Sequence, residues 1–176
     1  MSFLSRILGG GRIDRAQMLP LYQGIVAIGR EPAWYRDGQV PDTIDGRFDL
    51  IAAVMALTLL RLEREDDGAT RRAATLLTEL FIDDMDGSLR QLGIGDLVVG
   101  KHMGKMMGAL GGRIGAFRDA ADDEPAFREA VRRNVFHEAP PSEDALGFVS
   151  DRLLAYRAAL ARTDSAALLE GKVPSP

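Results

Sequence analysis

The run Leu50 to Leu60, LIAAVMALTLL, holds no charge and is apolar on nearly every side of a helix. A helix at the surface keeps a polar face, so one that is apolar all round must be buried or must span a bilayer. This run reaches about half of the ~20 residues a spanning helix needs. It therefore predicts a buried central helix, capped near Thr43 and ending near Arg64, around which the rest of the chain is arranged. A chain of 176 residues is long enough to build one such core without disulfides or metals. It has no cysteine, which removes disulfides, thiolate metal sites and a cysteine nucleophile together.

Apolar spacing is helical along the remainder. Met18, Leu21, Tyr22, Ile25 and Ile28 share one face of a first helix, about Asp14 to Arg30, which Pro32 ends. EPAWYRDGQVPDT then reads as an irregular loop. After the central helix, EDDG precedes a third from about Ala69 to Leu92, closed by Gly93 and Gly95. Asp96 is placed to cap a fourth, Leu97 to about Ala120. ADDEP opens a fifth with Pro125 in its first turn, and a sixth runs from about Ser142 to Arg162. The expectation is an all-α fold: a single compact bundle of about six helices with an irregular loop between the first two. Residues 14–163 form the helical domain, 1–13 a flexible or weakly amphipathic N-terminus, and 164–176 a C-terminal tail that is loose from Gly171. Aromatics at 6% beside frequent Ala, Leu and Arg agree with helices rather than a β-sandwich.

Several patterns invite chemistry. GDLVVGKH, Gly95 to His102, matches a phosphate-binding loop except that His102 stands where a hydroxyl should hold magnesium. Such a loop follows a buried strand, and the preceding DDMDGSLRQLGI has a helical pattern instead. A junction between two helices is the better reading. FIDDMDG gathers Asp83, Asp84 and Asp86 but fits neither an EF-hand nor the Asp-Asp-x-x-Asp spacing of helical metal enzymes. On a helix Asp83 and Asp86 share a face, Asp84 turns away, and Asp86 can pair with Arg90 at i,i+4. A solvated acidic face is the simplest account; an acidic docking stripe and a metal-dependent enzyme using Asp83 and Asp86 are the alternatives. The two histidines, His102 and His137, lie at no ligand spacing, and no Ser-His-Asp signature is present. No cofactor is implied. The net charge of −4 argues against general affinity for nucleic acid.

The fourth helix carries Met103, Met106, Met107 and Leu110 at i, i+3, i+4 and i+7, flanked by Lys101 and Lys105. Methionine adapts to varied shapes and recurs at binding surfaces, although the same stripe also serves as core. Gly104, Gly108, Gly111, Gly112 and Gly115 cost helix stability, which suits close approach of another helix.

Three stretches together resemble the ubiquinol–cytochrome c chaperones, assembly factors of the cytochrome bc1 complex: LYQGIVAIGREPAWY (Leu21 to Tyr35), VPDTIDGRFDLI (Val40 to Ile51) and DMDGSLRQLGIGDLVVGK (Asp84 to Lys101). The resemblance spans about Asp14 to Leu160. A histidine expected near Val54 in many members is missing, so any role of that histidine does not carry over. The resemblance implies an all-helical, non-catalytic protein that binds newly made cytochrome b. A small helper protein or the ribosome is a further partner in some members. For this chain it implies a cytoplasmic place, peripheral at the inner membrane. Candidate partner-binding residues are Trp34 and Tyr35 in the loop, Met103, Met106 and Met107 on the stripe, and Asp86, Arg90 and Lys101 for polar orientation. Pro41, Asp42, Arg47, Gly93, Gly95 and Asp96 are the structural motif residues, with Asp42 and Arg47 expected to lock the loop onto the central helix. A helical interaction module with some other client is the remaining alternative.

Overall fold

The computed structural model describes residues 14–65, 67–91, 96–137 and 139–176. Among them every regular element is a helix: α1 Arg15–Gly29, α2 Pro32–Arg36, α3 Ile44–Glu63, α4 Gly68–Gln91, α5 Asp96–Asp119, α6 Glu124–Val135, α7 Glu143–Ala161 and α8 Ser165–Leu169. Six of these are long and two are single turns, in agreement with the expected all-helical bundle. The N-terminal expectation for residues 1–13 lies outside the described residues.

The central helix is α3. Every residue from Phe48 to Leu59 is buried, as its all-round apolarity requires. The helix packs against α1, α4, α5, α6 and α7. Its one buried hydroxyl there is satisfied twice: Thr58 Oγ1 donates to Val54 O at 3.0 Å and lies 2.9 Å from Tyr156 Oη of α7. Caps set the helix starts. Asp14 accepts from Gln17 N, Thr43 from Gly46 N, Asp123 from Ala126 N and Ser142 from Ala145 N. Between α4 and α5 the chain passes from helix to helix, with no strand on either side among the described residues, so the phosphate-loop resemblance has no structural basis. α5 starts at Asp96 itself, one residue before the expected start.

Two expectations change. The loop after α1 contains α2, and Trp34 within it is fully buried. The tail is not loose. Leu168 of α8 is fully buried, and Ser165 Oγ donates to Glu65 Oε2 at 2.5 Å. A Cβ on Gly24 would sit 2.4 Å from Val173 Cγ2, so α1 is notched to receive the tail. Gly171 turns the chain there with φ 84°, a conformation that favours glycine.

Candidate binding groove

The start of α3 is locked by its own sequence. Arg47 Nε pairs with Asp42 Oδ1 at 2.6 Å, which is the local ion pair expected from the PDTIDGR segment. That bond holds the Asp42 carboxyl below the usual carboxylate range. Arg47 also lies over the Tyr35 ring, 5.8 Å from its centroid. A Cβ at Gly46 would come within 2.1 Å of Pro41 O, so this turn accepts only glycine. Tyr35 is half-buried and donates to Gly29 O at 2.5 Å, and burial pushes its phenol up to about 12.

Above this lock, α3, α4 and α5 enclose a groove of about 320 Å³. Phe48, Ile51, Met85 and Met106 give it apolar walls; Arg30, Arg47, Ser88 and Gln91 supply polar groups. Ile44 stands at its edge, 53% exposed, one of two large apolar side chains left open among the described residues. Phe48 is held by Phe81, with ring centroids 5.5 Å apart. Phe48 and Met106 also line an adjoining cleft of about 300 Å³ that includes Asp45, Lys105, Arg113 and His137.

Behind Phe48 lies a buried polar cluster. The Arg113 guanidinium of α5 pairs with Asp49 of α3, and both side chains are 4% exposed. Arg113 also donates to Asn134 O through Nε at 3.1 Å and Nη2 at 2.7 Å, tying down the C-terminal turn of α6. His137 Nδ1 stands 2.7 Å from the other Asp49 oxygen. Burial pushes the Asp49 carboxyl up to about 6, with Arg113 and His137 opposing the rise. Burial also draws the Arg113 guanidinium down. The Phe48 ring lies under Arg113, 5.5 Å from its guanidinium carbon, so the cluster fixes a wall of the groove.

The expected site residues divide between groove, frame and core. Met106 is buried and lines the groove; Met103 and Met107 are half-buried beside the core. Asp86 pairs with Arg90 Nε at 2.6 Å, the expected i,i+4 bond. Trp34 is corrected: its Nε1 donates to Ile28 O at 2.7 Å, and Arg152 covers its ring, so it anchors the core and presents nothing outward. Asp84 does not turn away from Asp83: the two line one cleft against α1, where Asp83 pairs with Arg15 and Asp84 accepts from Tyr22 Oη at 2.7 Å. Asp83 and Asp86 are thus engaged in ion pairs to different arginines, an arrangement that frames helices rather than a metal. The α5 glycines are corrected too. Among the described residues, a Cβ at Gly104, Gly108, Gly111, Gly112 or Gly115 would meet nothing within 4 Å, so no described helix approaches there. Gly93 and Gly95 lie outside the described residues, as do the side chains of Asp96 and Lys101.

Sequence reasoning missed Ile44, Phe48, Ile51 and Met85. The first three fall at i, i+4 and i+7 of α3, a stripe legible in principle but hidden within a helix that is apolar almost everywhere.

Residues 36–174 match the ubiquinol-cytochrome C chaperone family. The chain belongs to it. A crystal structure of the Cbp3 homolog from Brucella abortus is similar along nearly the whole length: TM-score 0.82, 30% identity, 99% of this chain and 97% of that one. Curated protein sequences give no significant match. The family is one of non-catalytic assembly factors. No described helix of the chaperone is long and apolar enough to cross a membrane.

Proposed function

We propose that the chaperone binds unassembled cytochrome b and assists biogenesis of the cytochrome bc1 complex, holding an apolar client segment in the groove between α3, α4 and α5. The observation that carries this is the exposed Ile44 beside walls of Phe48, Ile51, Met85 and Met106 in a member of this chaperone family. Two methionines among the walls suit a client whose apolar side chains vary along its length. Arg30 and Arg47 give the same groove polar ends that orient a segment without enclosing it. Met103 and Met107 border the buried stripe of α5 and extend the apolar surface. Binding takes place in the cytoplasm beside the inner membrane, where the client is inserted, and a small helper protein or the ribosome shares the task.

The test is deletion and rescue. Ile44→Glu changes an exposed first-turn residue, where an acid suits the helix terminus, so the fold is kept. It should fail to restore cytochrome b and bc1 levels in a deletion strain that the unaltered chain rescues. A photocrosslinker at position 44 should capture cytochrome b during its synthesis. Normal bc1 levels in the deletion strain would overturn the reading, and capture of a different protein would assign the groove to another client.

A further inference from the structure

The groove and the cleft beside it carry a charge opposite in sign to that of the chain, whose net charge is −4. Arg30 and Arg47 line the groove, and Lys105 and Arg133 line the cleft; all four are exposed. Against them stands Asp45, the one exposed carboxylate in either lining among the described residues. Asp49 and Arg113 are buried and offset each other. Asp45 has a reason of its own, since it sits in the first turn of α3, where an acid suits the helix terminus. Arg47 and Arg133 are engaged by Asp42 and Glu129. Arg30 and Lys105 pair with no carboxylate among the described residues. Arg30 stands at the C-cap of α1, an ordinary place for a cation, but Lys105 is in mid-helix and has no such reason. Of the two recesses, Arg30 borders only the groove and Lys105 only the cleft, while Phe48 and Met106 line both. The unpaired cations thus lie on either side of a shared apolar wall.

We infer that groove and cleft together receive one polypeptide segment, apolar at its centre and acidic at both ends, with one carboxylate meeting Arg30 and the other Lys105. The inference rests on the groove being the client site and adds the chemistry by which a segment is chosen. Apolar recesses of about 320 and 300 Å³ accept inserted side chains, which a polypeptide supplies and a flat lipid surface does not. Charges at the rim of an interface govern orientation and partner choice more than affinity, so a segment flanked by lysines is turned away.

The test uses fluorescently labelled peptides that share a short apolar core flanked at both ends by aspartates, by asparagines or by lysines, titrated into the intact chain. At low salt the aspartate peptide should bind about tenfold more tightly than the asparagine peptide, and the lysine peptide most weakly. Salt at ~1 M should compress the three affinities together. Arg30→Gln and Lys105→Gln should each weaken the aspartate peptide about threefold and leave the asparagine peptide unchanged, at an unaltered melting temperature. Arg30→Glu combined with Lys105→Glu should reverse the order and favour lysine flanks, which a merely structural role of either residue would not do. Arg64→Gln, at the far end of α3, should alter none of the affinities. Equal binding of the three peptides, or binding of none, would overturn the inference. Equal binding together with a failed rescue by Ile44→Glu would remove the acidic flanks and leave the groove as the client site. Capture by phosphatidylglycerol vesicles that the double variant loses, with no preference among peptides, would assign the cations to a lipid surface and overturn it as well.

Discussion

Asp49 and Arg113 face each other inside a helical core, where a lone charge is far more costly than a pair. Asp49→Ala leaves the guanidinium buried without its carboxylate and should destabilise the chain by about 3–5 kcal/mol in denaturant unfolding. Asp49→Leu together with Arg113→Met should cost clearly less than the single change, because both desolvated charges leave at once. The carboxyl also imposes a pH dependence. Its pKa is raised to about 6 in the fold, against ~3.9 for an unfolded aspartate, so between these values the folded chain binds more protons. The contribution of Asp49 to stability is therefore fullest below ~4 and is withdrawn as pH rises through about 6. Unfolding free energies of the unaltered chain and of Asp49→Asn should diverge over that window, with the unaltered chain losing ground toward neutral pH. Parallel curves would show that Asp49 titrates normally.

At the scale of elements, α5 is the helix whose composition most misleads. Its buried stripe is Met106, Leu110, Arg113 and Phe117, while no described residue packs on its glycines. Gly104→Ala, Gly108→Ala and Gly111→Ala should each stabilise the chain by about 1 kcal/mol, raising the melting temperature by about 2–4 °C. A fall in melting temperature would mean that something packs on that face in solution. The tail makes the opposite prediction. Leu168→Ala should cost about 2–5 kcal/mol although it lies in a five-residue helix, because its side chain is fully buried. Much of the frame was legible in the sequence: the apolar run marked α3, Thr43 marked its start by capping chemistry, and the starts expected near Asp14 and Ser142 coincide with the caps observed there. Trp34 was not legible as core, since an aromatic among Glu, Pro, Arg and Asp reads as surface until Ile28 O accepts its N–H. Arg113 was not either. A charge in a helix reads as a solvent contact, and only the fold brings Asp49 beside it from 64 positions away. The tail escaped because its fit depends on the notch at Gly24 and on the approach of Gly171 to Pro20, both contacts made far off in the chain.

For the whole molecule, the arrangement joins a surface to its frame. The groove opens where α3 begins, and its walls Phe48, Ile51, Met85 and Met106 are also members of the core, so one helix serves both the surface and the frame. Its middle has another effect. Because α3 touches every long helix and is buried over its central turns, no half of the bundle retains a core without it. Amides from Val54 to Leu57 should exchange with deuterium only when the entire chain opens, and at one common free energy. Those along the glycine face of α5 should exchange through small local openings, well before that. An assembly factor built this way yields at its rim while its centre opens in a single step.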